Sequence, residues 1–438
     1  MKITFTIRNR TQMWPLLWLL IVMPFGLGLL NEVLGLPYGV RYLMDCAWLL
    51  LLAILCSRGK YVEMNECGNI RAWILLFFLM TLAVFPIQYQ SVIYYLWGLR
   101  NNFRFYVAFF AFAAFLTADD VEDGVRLFDV LFWVDIVVCL IQFFVLNIYQ
   151  DAMGGLFSGS GGNSFNNIFF LIMLAKSLVF CLEKKEEVWL CIFKCALALM
   201  VAAMAEMKFF FVEFIVVLIL AVLFTNFTWR KVFLILGGVG VLMGCVALLT
   251  VFFPLWGQWF TFSWFLETAT SKVGYTGYGD LNRLTAIPQI NELWLKDWTQ
   301  RIFGMGMGNC DTASFALTNT PFFQKYGDMH YSWISYAMVY LEMGYVGLMF
   351  YMGFFLLVFL RCRRIEKYST GDLKRFCCVA RIMAVMCMII SIYNNSLRSE
   401  AAYMAYFVLA IPFVLVREED CEEEDPEEDA PVLRTVAE

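Results

Sequence analysis

The chain has 438 residues, 61% of them apolar and 16% charged, with a mean hydropathy of +0.70. A soluble domain carries about 25% charged residues, so composition excludes the soluble globular class; 18% aromatic residues and ten prolines exclude the disordered and collagen-like classes. The net charge of −5 hides an asymmetry: residues 417–438 hold eleven acids and two arginines, a balance of −9, leaving +4 on the other 416 residues.

The expected organisation is therefore a mildly basic polytopic membrane body over 1–416, then an acidic, disordered tail over 417–438 that chemistry can spare. Nucleic-acid binding has no compositional support. The chain opens MKITFTIRNR and turns apolar at Trp14. The apolar run is too long for a signal-peptide core and no small-residue cleavage site follows, so it reads as a retained helix.

A membrane-crossing helix needs about 20 apolar residues. Twelve candidate spans follow, near 14–34, 42–57, 72–89, 103–117, 126–147, 165–182, 188–205, 209–227, 232–255, 331–360, 376–394 and 401–416. The predicted fold class is thus an all-α polytopic bundle of about twelve transmembrane helices. Fourteen cysteines lie mostly in apolar runs, as Cys139, Cys191 and Cys245 do, and none form a Cys-x-x-Cys pair. No disulfide framework and no zinc site is expected.

Orientation follows from Lys and Arg between spans. With the N-terminus inside, nineteen fall inside, RCRRIEK at 361–367 being the strongest anchor, and ten outside. Both termini are expected in the cytoplasm. Residues 256–329 then form one long outer loop, of the kind that usually carries function. Within it NRLTAIPQINELWLKDW (282–298) reads as an amphipathic helix, with Leu284, Ile287, Trp294 and Trp298 near one face and Pro288 as a kink.

Chemistry is sparse and gathers at the outer mouth. His330 is the only histidine and stands where the 331–360 span begins, behind a capping Asp328. Helix N-termini disfavour imidazolium, so the ring is a candidate proton acceptor; the plain alternative is an interfacial anchor. Arg283, Lys208, Arg398, Arg100 and Arg104 lie outside. Each alone is more often a headgroup anchor, but together they suit a phosphate, which guanidinium forks grip on two oxygens. FGMGMGN (303–309) is either a turn whose amides face an anion, with Gly306 and Asn309 the candidates, or a tight re-entrant turn. FSGSGGNSFNN (157–167) is a second glycine-rich approach. Asp135, Glu213 and Glu342 lie within spans and must face protein or a cavity. Lys208 is the expected partner of Glu213.

The sequence NRLTAIPQINELW … RIFGMGMGN … HYSWISYAMVYLEMGYVGL resembles the O-antigen ligase and O-antigen polymerase superfamily of bacterial polysaccharide assembly. The features that match are Arg283, the Gly304-Gly306-Gly308 turn, His330 and the Glu342-Met343-Gly344 step, over about 80 residues. One feature departs: where the family shows Ser-Arg-Gly, this chain has Glu206-Met207-Lys208, which keeps a charge but loses the fork. The resemblance implies an inner-membrane, metal-independent glycosyltransferase with no cofactor. Its donor would be a glycan on undecaprenyl pyrophosphate. Its acceptor would be another lipid-linked glycan in a polymerase of O-antigen or capsule, or the lipid A core of lipopolysaccharide in a ligase. Arg283 and Lys208 would hold the pyrophosphate, Arg398 would compensate for the lost fork, and His330 would face the acceptor. Other assembly proteins are expected partners alongside membrane lipids. A polysaccharide or lipid flippase is the alternative from another class; it would line a path through its spans with charge.

Overall fold

The computed structural model describes residues 13–59, 65–88, 91–157, 162–226, 229–252, 271, 279–311 and 319–424. Much of the predicted outer loop, part of the 157–167 glycine run and the tail beyond Glu424 lie outside these residues.

The described chain is helical. In order it forms α1 (Trp14–Gly28), α2 (Tyr42–Ser57), α3 (Gly68–Val84), α4 (Val92–Phe115) and α5 (Ala118–Phe144). Next come α6 (Gly162–Leu182), α7 (Val188–Met204), α8 (Phe210–Phe224) and α9 (Trp229–Phe252). Three short helices follow in the loop region: α10 (Ala286–Leu293), α11 (Trp298–Phe303) and α12 (Pro321–Tyr326). The chain closes with α13 (Ser335–Glu366), α14 (Gly371–Tyr393) and α15 (Ala402–Glu424).

The expectation of twelve spans is not met. Among the described residues six helices are long and apolar enough to cross a membrane: Gly39–Ser57, Ala118–Phe144, Gly162–Leu182, Trp229–Ala247, Ser335–Glu366 and Gly371–Tyr393. The protein is a multi-pass membrane protein of about six such helices. The other six apolar stretches do form helices but fail on length or polarity. α1 and α8 have 15 residues each, about 22 Å at 1.5 Å per residue, against a hydrocarbon core of about 30 Å. α3 and α7 have 17 each. α4 is longer but carries Arg100, Asn101, Asn102 and Arg104 in its middle. α15 contains Pro412 and runs into acidic residues.

Long-range bonds order the helices into one bundle with two ends. α3 and α13 run antiparallel: Arg361 Nε donates to the Glu66 carbonyl, Trp73 Nε1 to Phe350, and Gln88 to Gly304. α4 and α15 run antiparallel too, since Arg104 reaches Glu400 while Arg417 reaches Ala113. One end therefore gathers Arg361, Arg363, Arg364, Lys367, Arg375 and Arg417. The other gathers the 280–311 and 319–334 segments with the 145–157, 205–209 and 394–401 connections. Aromatic rings fill the core between them, Phe77, Phe105, Phe109, Phe112, Phe132 and Phe169 all being buried.

The start of the predicted tail is part of the bundle. α15 continues through Arg417–Glu424. Arg417 donates to the Ala113 and Leu116 carbonyls at the end of α4, and Glu418 accepts from the Ala118 amide that opens α5, at 2.6 Å. These are backbone groups a helix end leaves unpaired. Beside them Thr117 and Asp120 close a capping box. Truncation after Val416 should lower the melting temperature in detergent by several degrees, because charge-assisted bonds to two helix ends go at once. Truncation after Glu424 should leave it unchanged. Equal melting temperatures for the two truncations would contradict this account.

Candidate functional site

The glycine turn serves the fold. Gly344 has φ 64°, which breaks α13 internally and frees carbonyls one turn earlier. The Met305 and Gly306 amides donate to exactly those groups, the Leu341 and Glu342 carbonyls, each at 2.9 Å. Gly304, Gly306 and Gly308 all have positive φ, the region glycine enters without penalty. A Cβ on Gly304 would sit 2.3 Å from the Glu342 backbone, and one on Gly308 1.9 Å from the Tyr94 carbonyl oxygen. Asn309 folds back, its Nδ2 donating to Met305 at 2.7 Å. The Gly306 amide expected to face a substrate is thus used in docking the turn onto α13, and the Asn309 amide group in closing the turn on itself.

Three of the expected phosphate-binding cations sit in an internal ion network. Arg100 forks onto Asp45, with its Nη2 at 2.7 Å and its Nε at 3.1 Å from both oxygens. Arg104 is almost fully buried and meets Glu400 at 3.2 Å and Asp45 at 3.7 Å. Arg398 meets Asp311 at 3.1 Å and the buried Glu342 at 3.6 Å. Asn101 donates to the same Asp311 oxygen at 2.6 Å. Burial alone would raise the Glu400 carboxyl, but the Arg104 and Arg100 guanidiniums outweigh it and hold it below the ordinary carboxylate range. The network ties α2, α4, α13 and the 394–401 connection together around the docked turn.

Arg283 and Lys208 form a separate cluster. Arg283 lies over the Tyr393 ring at 4.3 Å, and Tyr393 stacks on Phe209 at 4.3 Å and 15°. The residue before Phe209, Lys208, feels the Arg283 charge as well as Glu206 and Asp151. Its Nζ pairs with Glu206 at 2.8 Å, so the expected pairing with Glu213 does not form. Burial pulls the Lys208 ammonium below its ordinary pKa, against the upward pull of Glu206. Glu206 itself has φ 57°, a left-handed conformation that costs a non-glycine residue energy and tends to mark functional sites. Asp151, held by Asn163 at 2.7 Å, completes the rim. The cluster therefore mixes two cations, two carboxylates and a stacked aromatic pair.

Arg283 does not open a helix. It lies in a turn ahead of Ala286, where its carbonyl accepts from the Tyr336 hydroxyl. The predicted 282–298 helix is broken: α10 stops at Leu293 and α11 restarts at Trp298. The expected single face does not exist, because Leu284 and Trp298 are exposed while Trp294 packs on Phe322, Tyr326 and Tyr331.

His330 also departs from expectation. α13 begins at Ser335, not at residue 331, and Asp328 lies in a 3-10 turn instead of capping it. His330 precedes that helix in a left-handed conformation, φ 53° and ψ 24°, so helix-dipole arguments do not apply to it. Its ring stacks on Trp333 at 3.8 Å. Its Nδ1 is buried without a hydrogen-bond partner. The Leu281 amide donates to the Met329 carbonyl at 3.0 Å, which ties the backbone next to His330 to the backbone leading to Arg283.

Sequence reasoning missed Tyr393, Phe209 and Asp151, and met Glu206 only as the first residue of the Glu206-Met207-Lys208 departure. Tyr393, Phe209 and Asp151 carry no motif; only their proximity in the fold marks them. Among the described residues no group of three or more His, Cys, Asp or Glu side chains is arranged to hold a metal ion. No known protein-family model matches the chain, and no curated protein does either.

Proposed function

We propose that this protein is a membrane glycosyltransferase of the polysaccharide-polymerase type, which moves a glycan from undecaprenyl pyrophosphate onto a glycan acceptor. The observation that carries the reading is the gathering of Arg283 and Lys208, from segments 75 residues apart in sequence, into one cluster, with His330 joined to the Arg283 segment through the Leu281–Met329 backbone bond. A pyrophosphate leaving group needs cations where its charge develops, and these two are the members of the expected set outside the internal ion network.

In the reaction the acceptor hydroxyl oxygen bonds to the anomeric carbon. The bond from that carbon to the pyrophosphate oxygen breaks, and its electron pair leaves on the pyrophosphate. Arg283 and Lys208 stabilise that leaving group, and His330 Nδ1 takes the acceptor proton. The clustered basic connections at the opposite end favour a cytoplasmic location for that end. The site then faces the periplasm of an inner-membrane protein, with both termini cytoplasmic.

Lys208 offers a direct test. Lys208→Arg should keep or raise polymer yield, because a guanidinium adds a second donor to phosphate. Lys208→Ala should lower it by at least about tenfold, the scale of one charge-assisted bond. Both are read as polymer length and amount in cells with matched protein levels. Normal polymer from Lys208→Ala would remove Lys208 from the donor site.

A further inference from the structure

Below the Arg283–Tyr393–Phe209 stack lies a polar group that neither the fold nor the proposed transfer step uses. Glu213, in the first turn of α8, is fully buried. Neither of its carboxylate oxygens completes a hydrogen bond. Its nearest polar neighbour is Asn167 of α6, 4% exposed, but the two do not reach the geometry of a hydrogen bond, and the Asn167 amide oxygen and nitrogen are left without partners as well. The adjacent Asn166 is fully buried with its own amide oxygen unpaired. Tyr393, which carries Arg283 over its ring, is also within electrostatic reach of Glu213.

Buried polar groups are nearly always bonded, and each exception calls for a reason. Here a carboxylate and an amide are unsatisfied together, one helical turn inward of Phe209 in the aromatic pair. A hydroxyl-rich ring suits that set. Its hydroxyls donate to the carboxylate and exchange bonds with the amide, and its C–H face lies on an aromatic ring. A phosphate does not suit it, because no cation among the described residues pairs with this carboxylate to offset its repulsion of an anion.

We propose that Glu213 and Asn167 form a sugar subsite that binds hydroxyls of the pyrophosphate-linked glycan. This rests on the transferase reading and names the part of its donor that reaches this pocket. The headgroup sits on Arg283 and Lys208, and the first sugar lies inward of the Tyr393 ring. Sites built to bond a hydroxyl discriminate strongly, since an analogue without it leaves buried groups unpaired.

The test compares binding of two probes to the full chain in nanodiscs. One is undecaprenyl pyrophosphate without sugar; the other is the lipid-linked glycan extracted from the cells that make this protein. Wild type should prefer the glycan-bearing lipid. Glu213→Leu should cut that preference at least about tenfold, the worth of one bond to a charged group. Glu213→Gln, which keeps the shape and folds as the parent, should cut it by a smaller factor. An unchanged preference in both variants overturns the subsite. The underlying reading fails differently: Arg283→Ala would then weaken neither probe.

Discussion

Arg283→Ala should reduce glycan transfer by about 10²–10³-fold, the usual loss when one preorganised donor to a developing charge is removed. The negative charge on pyrophosphate grows as the glycosidic bond breaks, so the loss falls on kcat as well as on KM. Protein level should stay normal. The side chain lies on the Tyr393 ring, and the bond this segment makes to Tyr336 uses the Arg283 carbonyl, which alanine keeps. Arg283→Lys should fall between the two, since it retains charge but loses the fork and the flat stack on the ring. Initial rates with matched amounts of purified protein check this. Parental rates in Arg283→Ala would move the donor site elsewhere.

His330→Ala should abolish visible product while leaving donor binding intact, because the cations of the donor site are separate residues. General acid–base assistance is worth about 10²–10⁴-fold. The left-handed backbone of His330 complicates a simple alanine result, since alanine adopts that conformation at a cost. His330→Asn removes the complication, asparagine being among the residues enriched there. Asn should be as inactive as Ala if the imidazole takes the proton. Activity retained in His330→Asn or His330→Gln, but not in Ala, would make His330 a positioning residue for the acceptor hydroxyl. Full activity in all three would reduce it to an anchor stacked on Trp333.

The helices were legible in the sequence and the spans were not. Apolar runs show where a helix forms, because burial drives it, but they do not show where it stops. Residues 14–34 read as one span, yet α1 ends at Gly28 and gives way to a π-helical turn at Leu29–Val33. Residues 401–416 read as one span, yet the helix there holds Pro412 and continues into Arg417 and Glu418, which bond the ends of two neighbouring helices.

The charges show a second limit. Sequence lists cations by position but not by partner. Arg398 looked like a phosphate ligand until the fold brought Asp311 and Glu342 to it. Arg100 and Arg104 met Asp45 and Glu400 in the same way. The glycine turn and the Glu-x-Gly step were visible as motifs, but their mutual docking was not. It depends on the kink at Gly344, which exposes the carbonyls that the turn's amides fill. Arg283 and Lys208 were brought together apart from the internal ion network, through the Tyr393–Phe209 stack.

The most direct measurement is transfer by the purified full chain in proteoliposomes, supplied with lipid-linked glycan and no ATP. The account predicts a longer or relocated glycan covalently joined to its acceptor, with stoichiometric release of undecaprenyl pyrophosphate, and loss of both products in Arg283→Ala. Movement of intact lipid-linked glycan between leaflets, with no new glycosidic bond and no released pyrophosphate, would contradict it and make the protein a flippase.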